Sequence, residues 1–235
     1  MGHVTPGQVT DPVAVDGQLP VLVLTGMAFE ARLAQAPGVE IIYRDGRGRL
    51  DDVLAARLRR PCAGVISFGV AGGLDPSLKP GTVVIADQVA EGERRYACDG
   101  RWSAALRAAI PGAIGGLLAA ADSAVVSVAD KQALHTRSGS LLIDMESHVA
   151  ARLASGAQLP FAVCRVVLDD AGRAVPPAAM AAMGDDGGTD MIALLGSLLR
   201  GPGQLPGLIR LGRDAGIARA ALKAARTAAG PRFSF

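Results

Sequence analysis

The chain has 235 residues, of which half are hydrophobic and one fifth are charged, so it can bury a full core. No apolar run reaches the roughly 20 residues of a membrane-spanning helix, and 3% aromatic residues do not favour a single-stranded nucleic-acid partner. The N-terminal residues lack the pattern of a secretory signal, and an odd number of cysteines suits a reducing compartment, so we expect a cytoplasmic protein. The three cysteines are widely spaced and form no metal-binding pattern, so we expect no metal site.

Short apolar runs alternate with helical patterns along the chain. The predicted strands are Val21–Leu24, Val39–Tyr43, Gly64–Phe68, Thr82–Val89, Ala124–Val128, Leu141–Ile143 and Phe161–Leu168. The predicted helices are Phe29–Gln35, Leu50–Arg60, Ala104–Ile110, Lys131–Thr136, Glu146–Ser155, Met191–Leu199 and Leu208–Ala228. This alternation predicts an α/β fold with a mostly parallel sheet covered on both faces.

Composition divides the chain into three parts. Residues 1–19 are interpreted as a flexible tail, and residues 20–199 as the main domain. Residues 200–235 carry seven arginine or lysine residues against one aspartate, which predicts a basic helical extension packed on or beside that domain. Such an extension fits either a packing helix with a solvated basic face or an amphipathic helix that contacts a membrane surface.

A glycine-rich loop predicted between two strands, Gly69 to Gly73, indicates a binding site. A ligand can approach the backbone closely where glycine replaces larger residues. The sequence that follows, LDPSLKPG, breaks any helix, so the segment matches neither a dinucleotide-binding fingerprint nor a phosphate-binding P-loop. We therefore predict that Val70, Ala71 and Gly72 line a substrate pocket.

Three acidic residues follow predicted strands and are candidates for acid–base chemistry. Glu30 comes shortly after the first strand, Glu146 follows Asp144 after a later strand, and Asp169 closes the longest apolar run. Because strand ends meet at one rim of an α/β sheet, these carboxylates can share one site. Taken singly, each also fits a structural role, as a solvated helix residue, a first-turn acid or a turn residue.

The pattern resembles the purine nucleoside phosphorylase and nucleosidase superfamily. The strand and glycine segment in VISFGVAGG, with GTVV after it, match that superfamily, although Thr82 stands where an aspartate is usual. The early GMAFE segment, the Met145-Glu146 pair, and Arg165 four residues before Asp169 resemble its methylthioadenosine/S-adenosylhomocysteine nucleosidase branch. The resemblance implies a three-layer αβα sandwich with a mixed sheet and cleavage of a purine N-glycosidic bond.

The whole chain is most similar to the hopanoid-associated phosphorylases, over about residues 20–230. The segments IDMESHVAARLA and GSLLRGPGQLPGLIRLGRDAGIARAAL carry this resemblance. It implies that adenine is removed from adenosylhopane, a lipid-linked nucleoside. The wider superfamily implies a homodimer, and a lipid-linked substrate would suit peripheral membrane contact through the basic C-terminal helix if that helix is not simply a packing helix. His148, within the first segment, is interpreted as a core or surface residue rather than a catalyst.

The resemblance also implies roles for individual residues. Asp169 would protonate the departing purine, and Glu30 would activate the nucleophilic water with help from Arg165. Met145 would pack on the ribose, whose hydroxyls Glu146 would bind. From its position next to that pair, rather than from the resemblance, we expect Asp144 to support it.

The nucleosidase pattern has an aromatic residue near the purine base, just after the segment that matches Ala124–Val128. This chain has no aromatic residue at that place. Asp130 and Lys131 lie there instead. Either Asp130 or Lys131 meets the edge of the purine base, or Asp130 caps the following helix.

The resemblance implies no organic cofactor and leaves inorganic phosphate open as a co-substrate. The related phosphorylases have an arginine before the glycine segment and a serine within it, where this chain has Ser67 and Val70. A dianion needs such donors, so their loss favours water as the nucleophile. The alternatives are a soluble methylthioadenosine/S-adenosylhomocysteine nucleosidase, a phosphate-dependent phosphorylase, and a nucleoside-binding protein without catalysis.

Overall fold

The computed structural model describes residues 18–43, 49–177, 179 and 205–235, and eight strands and six helices have their bounds there. The strands are β1 Val21–Thr25, β2 Val39–Tyr43, β3 Gly64–Gly73, β4 Val83–Glu91, β5 Arg94–Ala97, β6 Ile114–Ala120, β7 Leu142–Asp144 and β8 Phe161–Asp169. The helices are α1 Ala28–Ala34, α2 Leu50–Arg57, α3 Gly100–Ala109, α4 Val128–Ser138, α5 Ser147–Gly156 and α6 Leu205–Ala228. The helix predicted at Met191–Leu199 and nearly all of the predicted tail lie outside the described residues.

The strands form one mixed sheet in the order β2-β1-β3-β7-β6-β4-β5, and β8 pairs with both β3 and β4. Five of the pairings are parallel, and those of β3 with β7, β4 with β5 and β4 with β8 are antiparallel. Because β8 pairs with both β3 and β4, five strands form a closed ring in the order β3, β7, β6, β4 and β8. The mixed, mostly parallel sheet inferred from the sequence is confirmed.

Two apolar layers cover the sheet, as the alternation of runs and helices predicts. On one face, α1, α3 and α6 bury residues such as Ala31, Trp102 and Leu222 against the strands. On the other face, α2 and α5 contribute Leu54 and Ala150 to a second core. The three-layer α/β arrangement is therefore confirmed.

One predicted strand is wrong and two strands were missed. Ala124–Val128 forms no strand; its last residue instead begins α4, which Ser127 caps. The real strand, β6, contains Gly115 and Gly116, which lower the strand signal. A side chain at Gly116 would collide with Leu141, so close packing requires the glycine. The other missed strand, β5, is mostly exposed and lacks an apolar pattern.

The glycine segment is strand rather than loop. β3 runs without interruption through Val70 to Gly73 and pairs there with both β7 and β8. The register shifts between Ala71 and Gly72, and Gly72 then lies opposite Asp169. The pairing therefore places the small residues of β3 directly beside the acidic end of β8.

The C-terminal residues contribute to the main core. Helix α6 buries Ala218, Leu222 and Ala225. The chain that follows buries Phe233 against Phe68 in an edge-to-face contact, with 5.1 Å between the ring centroids. None of the helices in the described residues is long and apolar enough to cross a bilayer.

Candidate functional site

Arg165 lies at the centre of a buried group of charges. It stands in β8 opposite Gly69 of β3, and its side chain is fully shielded from solvent. Its Nε lies 2.6 Å from Asp144 Oδ2, and its Nη2 lies 3.6 Å from Glu146 Oε2. Burial opposes the charged guanidinium, but the neighbouring carboxylates outweigh it and raise the pKa of Arg165.

Two serine hydroxyls complete the surroundings of Arg165. Its Nη2 donates to Ser67 Oγ at 2.7 Å, and Ser147 Oγ lies 2.9 Å from the same oxygen. Asp144 in turn accepts a hydrogen bond from the Ser147 backbone N–H at 3.0 Å and a short one from the Ser147 hydroxyl. These bonds fix Asp144 between the end of β7 and the start of α5.

Glu30 joins the same group from the first turn of α1. Its Oε2 accepts hydrogen bonds from the backbone N–H groups of Gly26 and Met27 at 3.0 and 2.9 Å. Its Oε1 accepts from the Val70 N–H at 2.8 Å. Burial raises the pKa of Glu30 above its usual range, while the Arg165 guanidinium and the three backbone donors oppose that rise. A carboxylate held in this way is oriented and electrostatically poised to accept a proton.

Close approach of these charges requires glycine at position 69. A Cβ added to Gly69 would lie 2.3 Å from Glu30 Oε1 and 2.5 Å from Arg165 Nη1.

We expect Gly69→Ala to lower the free energy of unfolding by about 1–3 kcal/mol, because two buried charged groups must shift. Urea unfolding measures the effect. Gly72→Ala in the same strand is the control: its nearest neighbour would be 3.4 Å away, so we expect a change below about 1 kcal/mol. Equal losses in both variants would contradict the steric argument.

Asp169 lies at the end of β8 in a separate contact. Its Oδ2 forms a short ion pair with Lys131 Nζ, and both side chains are buried. Burial raises the pKa of Asp169, and the Lys131 ammonium acts against this rise. Asp169 stands four positions after Arg165 in β8, which corresponds to about 13 Å between their Cα atoms.

A cavity of about 240 Å³ opens beside Asp169, between the segment after β8 and helix α6. Its lining consists of Asp169, Arg173, Ala174, Val175, Pro176, Gly207, Arg210, Leu211 and Asp214. Arg173 Nη1 lies 2.7 Å from Asp214 Oδ2, so an ion pair joins the two walls. The cavity gives the carboxyl of Asp169 a neighbouring space of small-molecule size.

The other predicted binding residues fall into two groups. Val70 and Ala71 are buried in β3, where the Val70 N–H binds Glu30, and Met145 is half-buried just before α5. Asp130 is exposed, and its contacts are with Ser127, which caps α4. The alternative that Asp130 caps the helix is therefore wrong. It is the third residue of that helix, and the next residue, Lys131, is the one that reaches Asp169.

The structure thus brings Glu30, Asp144, Glu146 and Arg165 together and places Asp169 further along the same strand. Sequence reasoning did not identify the pairing of Lys131 with Asp169, because 38 residues separate the two. It also missed the bridging role of Ser67 and Ser147. Their only sequence signal is a polar residue in a buried strand and a serine directly after Met145-Glu146.

The sequence profile described as the phosphorylase superfamily matches residues 52–200, which is more than half of the chain. The chain belongs to the phosphorylase superfamily. It is therefore an enzyme, and the elements that the profile spans include β3, β7 and β8, which carry Arg165, Asp144 and Asp169. No curated protein matches the sequence significantly.

Solved structures of low sequence identity share the fold of this phosphorylase-superfamily chain. S-adenosylhomocysteine nucleosidase from Streptococcus pyogenes, in complex with 5-methylthiotubericidin, is 19% identical with a TM-score of 0.59, covering 89% of this chain and 98% of that one. 5'-Methylthioadenosine/S-adenosylhomocysteine nucleosidase from Neisseria meningitidis, in complex with methylthio-immucillin-A, is 20% identical with a TM-score of 0.58. The match covers 88% of this chain and 97% of that one. Futalosine hydrolase from Helicobacter pylori is 16% identical with a TM-score of 0.55. The match covers 65% of this chain and 88% of that one.

Proposed function

We propose that the protein hydrolyses the N-glycosidic bond of an adenine nucleoside and releases adenine. The observation that carries this proposal is the arrangement around β8. A carboxylate held by three backbone donors lies beside a buried arginine, and a second buried carboxyl lies further along the strand next to an open cavity. The structural neighbours include nucleosidases with bound nucleoside analogues, which supports a nucleoside substrate.

In the proposed reaction, Asp169 is the general acid. Its O–H bond breaks as the proton moves to the five-membered ring of the purine. The bond between the ribose C1′ and the purine nitrogen then breaks, and its electron pair stays with the base, so that neutral adenine leaves. Burial favours the protonated form that this step needs.

Glu30 is the proposed general base. Its two carboxylate oxygens offer about four acceptor positions, of which the three backbone donors use three. The remaining position can accept a proton from the water that attacks C1′. Arg165 neutralises the carboxylates around it, which keeps this charged group stable inside the protein.

Glu146 and Met145 are proposed to hold the ribose. Gly26 supports this role, because a Cβ there would lie 2.5 Å from Glu146 Oε1, so the carboxylate lies close against the backbone that also orients Glu30. Hydrogen bonds from the sugar hydroxyls to Glu146 would then place C1′ near the base.

Water is favoured over phosphate as the nucleophile. Arg165 donates hydrogen bonds to the Ser67 hydroxyl and the Val70 carbonyl. It also forms ion pairs with Asp144 and Glu146, and Glu30 faces it. A dianion placed among these carboxylates would meet strong repulsion. We therefore propose that the protein needs no phosphate and no cofactor.

Adenosylhopane is the proposed substrate, and the proposal rests on the resemblance to the hopanoid-associated phosphorylases. The first turns of α6 add a physical argument, since Leu205 and Ile209 expose apolar side chains next to the exposed Arg210 and Arg213. Exposed apolar residues interleaved with arginines can lie against an anionic membrane surface, where a lipid-linked nucleoside resides. A homodimer stays a prediction.

The decisive experiment incubates the purified protein with adenosylhopane in phospholipid vesicles and follows adenine release, with and without phosphate. We expect release at the same rate in both conditions, and a free ribose-bearing lipid by mass spectrometry. Methylthioadenosine and S-adenosylhomocysteine in buffer are the comparison substrates, and faster cleavage of these would identify a soluble nucleosidase. Strict phosphate dependence would identify a phosphorylase, and tight adenosine binding without cleavage would contradict an enzymatic role on these nucleosides.

A further inference from the structure

Lys131 is a buried charged residue to which the proposed mechanism assigns no role. It is the fourth residue of α4, and 1% of the residue is exposed. Its ammonium group has three hydrogens, and three oxygens surround it: Asp169 Oδ2 in a short contact, the Arg173 carbonyl at 3.0 Å and the Asp170 carbonyl at 3.4 Å. A buried ammonium with every hydrogen matched to an oxygen is held as a charged group in one position.

This contact distinguishes the two oxygens of Asp169. Lys131 binds Oδ2, whereas Oδ1 faces Gly72, at 3.4 Å from the position that a Cβ would occupy there. Gly72 belongs to the small-residue segment of β3 proposed to line the substrate pocket. The oxygen that remains available for the leaving base is therefore Oδ1.

We propose that Lys131 is a positioning residue for the general acid: it fixes Asp169 through Oδ2, leaves Oδ1 for the leaving base, and sets the pH above which the acid no longer carries its proton. The proposal rests on the proposed function, because it assigns the acid step to Asp169. When Asp169 gives up its proton, the electron pair of the broken O–H bond stays on the carboxylate, and the Lys131 ammonium neutralises the new charge. The lysine neither gains nor loses a proton in that step.

Other charged groups also face Asp169. From the segment after β8 these are Asp170 and Arg173, and from α6 they are Arg210 and Asp214, which line the same cavity. The two carboxylates are paired, Asp170 with Lys79 at 3.6 Å and Asp214 with Arg173 at 2.7 Å. Lys131 is the cation in direct contact with the Asp169 carboxyl, so its removal is expected to have the largest effect on the proton of Asp169.

Lys131→Met tests the proposal through a pH profile. Activity that needs protonated Asp169 falls as the pH rises through the pKa of that carboxyl. Removing a contacting cation raises this pKa, so we expect the alkaline limb of kcat/KM, which reports the free enzyme, to move upward by about one to three pH units. Lys131→Arg keeps the charge and is expected to retain most of the wild-type profile.

The matched control is Lys79→Met, since Lys79 pairs with the neighbouring carboxylate Asp170 but is mostly exposed. Its alkaline limb is expected to stay within about 0.3 pH units of the wild type, because solvent screens exposed pairs. An unshifted limb in a folded Lys131→Met protein would overturn the proposal, as would the same shift in Lys79→Met. A lower rate without a moved limb would show that the lysine only supports the fold.

A second measurement keeps this inference separate from the proposed function. Carbon-detected NMR of the aspartate side chains, with Asp169→Asn to assign the signal, follows the protonation of Asp169 without any substrate. We expect its titration midpoint to rise in Lys131→Met by the same interval as the kinetic limb. If the midpoint moves but the wild type cleaves no nucleoside, the contact stands and the proposed function fails. If the wild type is active and the midpoint does not move, the role of Lys131 fails alone.

Discussion

Asp169→Asn is expected to lower the rate of adenine release by about 10²- to 10⁴-fold, the usual contribution of a general acid. The amide has almost the shape of the carboxyl and can still accept a hydrogen bond from Lys131, but it has no acidic proton to give to the purine. The effect is therefore expected in kcat. Single-turnover kinetics at substrate saturation measures it, and thermal unfolding of both proteins verifies that the variant is folded.

Asp170→Asn provides the matched control for this prediction. Asp170 is the adjacent carboxylate, and its Oδ1 accepts a hydrogen bond from the Gly172 N–H at 2.8 Å, which an asparagine oxygen can also accept. We expect its rate to stay within about threefold of the wild type, since it loses only screened surface pairs. Comparable rates in the wild type and Asp169→Asn would remove Asp169 from the mechanism, whereas comparable losses in both variants would indicate a disturbed loop.

Arg165→Met is expected to lower the free energy of unfolding by about 3–5 kcal/mol, because it leaves buried carboxylates without their cation. Asp144 and Glu146 pair with Arg165 directly, and Glu30 also faces it. Urea unfolding of the variant and the wild type gives the difference. Arg152→Met is the control, because Arg152 pairs with Asp51 and Glu91 near the surface. A loss below about 1 kcal/mol is expected there.

The loss in Arg165→Met is also expected to depend on pH. Burial already raises the pKa of Glu30, and removing the guanidinium raises it further. A carboxyl whose pKa is higher in the folded than in the unfolded protein favours the folded state at low pH, and this advantage is lost as the pH rises through the folded value. The variant should therefore lose more stability at pH 8 than at pH 5. A loss that is the same at both pH values would show that packing, rather than charge, causes it.

The candidate site was partly readable from local signals in the sequence. Glu30, Glu146 and Asp169 each stand just after a strand, and Arg165 stands in the middle of an apolar run, where a charged residue is unusual. The structure places Glu30, Glu146 and Arg165 in one cluster. It does not place Asp169 in contact with them, because Asp169 stands four positions after Arg165 along an extended strand.

Other parts of the site were not readable, because they depend on pairing between distant segments. The ion pair of Arg165 with Asp144 and the short contact of Lys131 with Asp169 join residues that are 21 and 38 positions apart. Nothing in the local pattern of α4 distinguishes Lys131 from a solvated lysine. Only the approach of α4 to the end of β8 makes it a buried partner of Asp169.

The sequence by itself determined the alternation of strands and helices, and hence the layered α/β fold, because hydrophobic periodicity is a local property of the chain. It also determined which acidic residues stand at strand ends. The tertiary structure decided that Val70–Gly73 continues as strand and that β6 replaces the strand predicted at Ala124–Val128. In both places small residues give a weak local signal, and pairing with neighbouring strands outweighs it. The same packing decided which cation faces each carboxylate, since charge compensation inside a protein depends on distance in space.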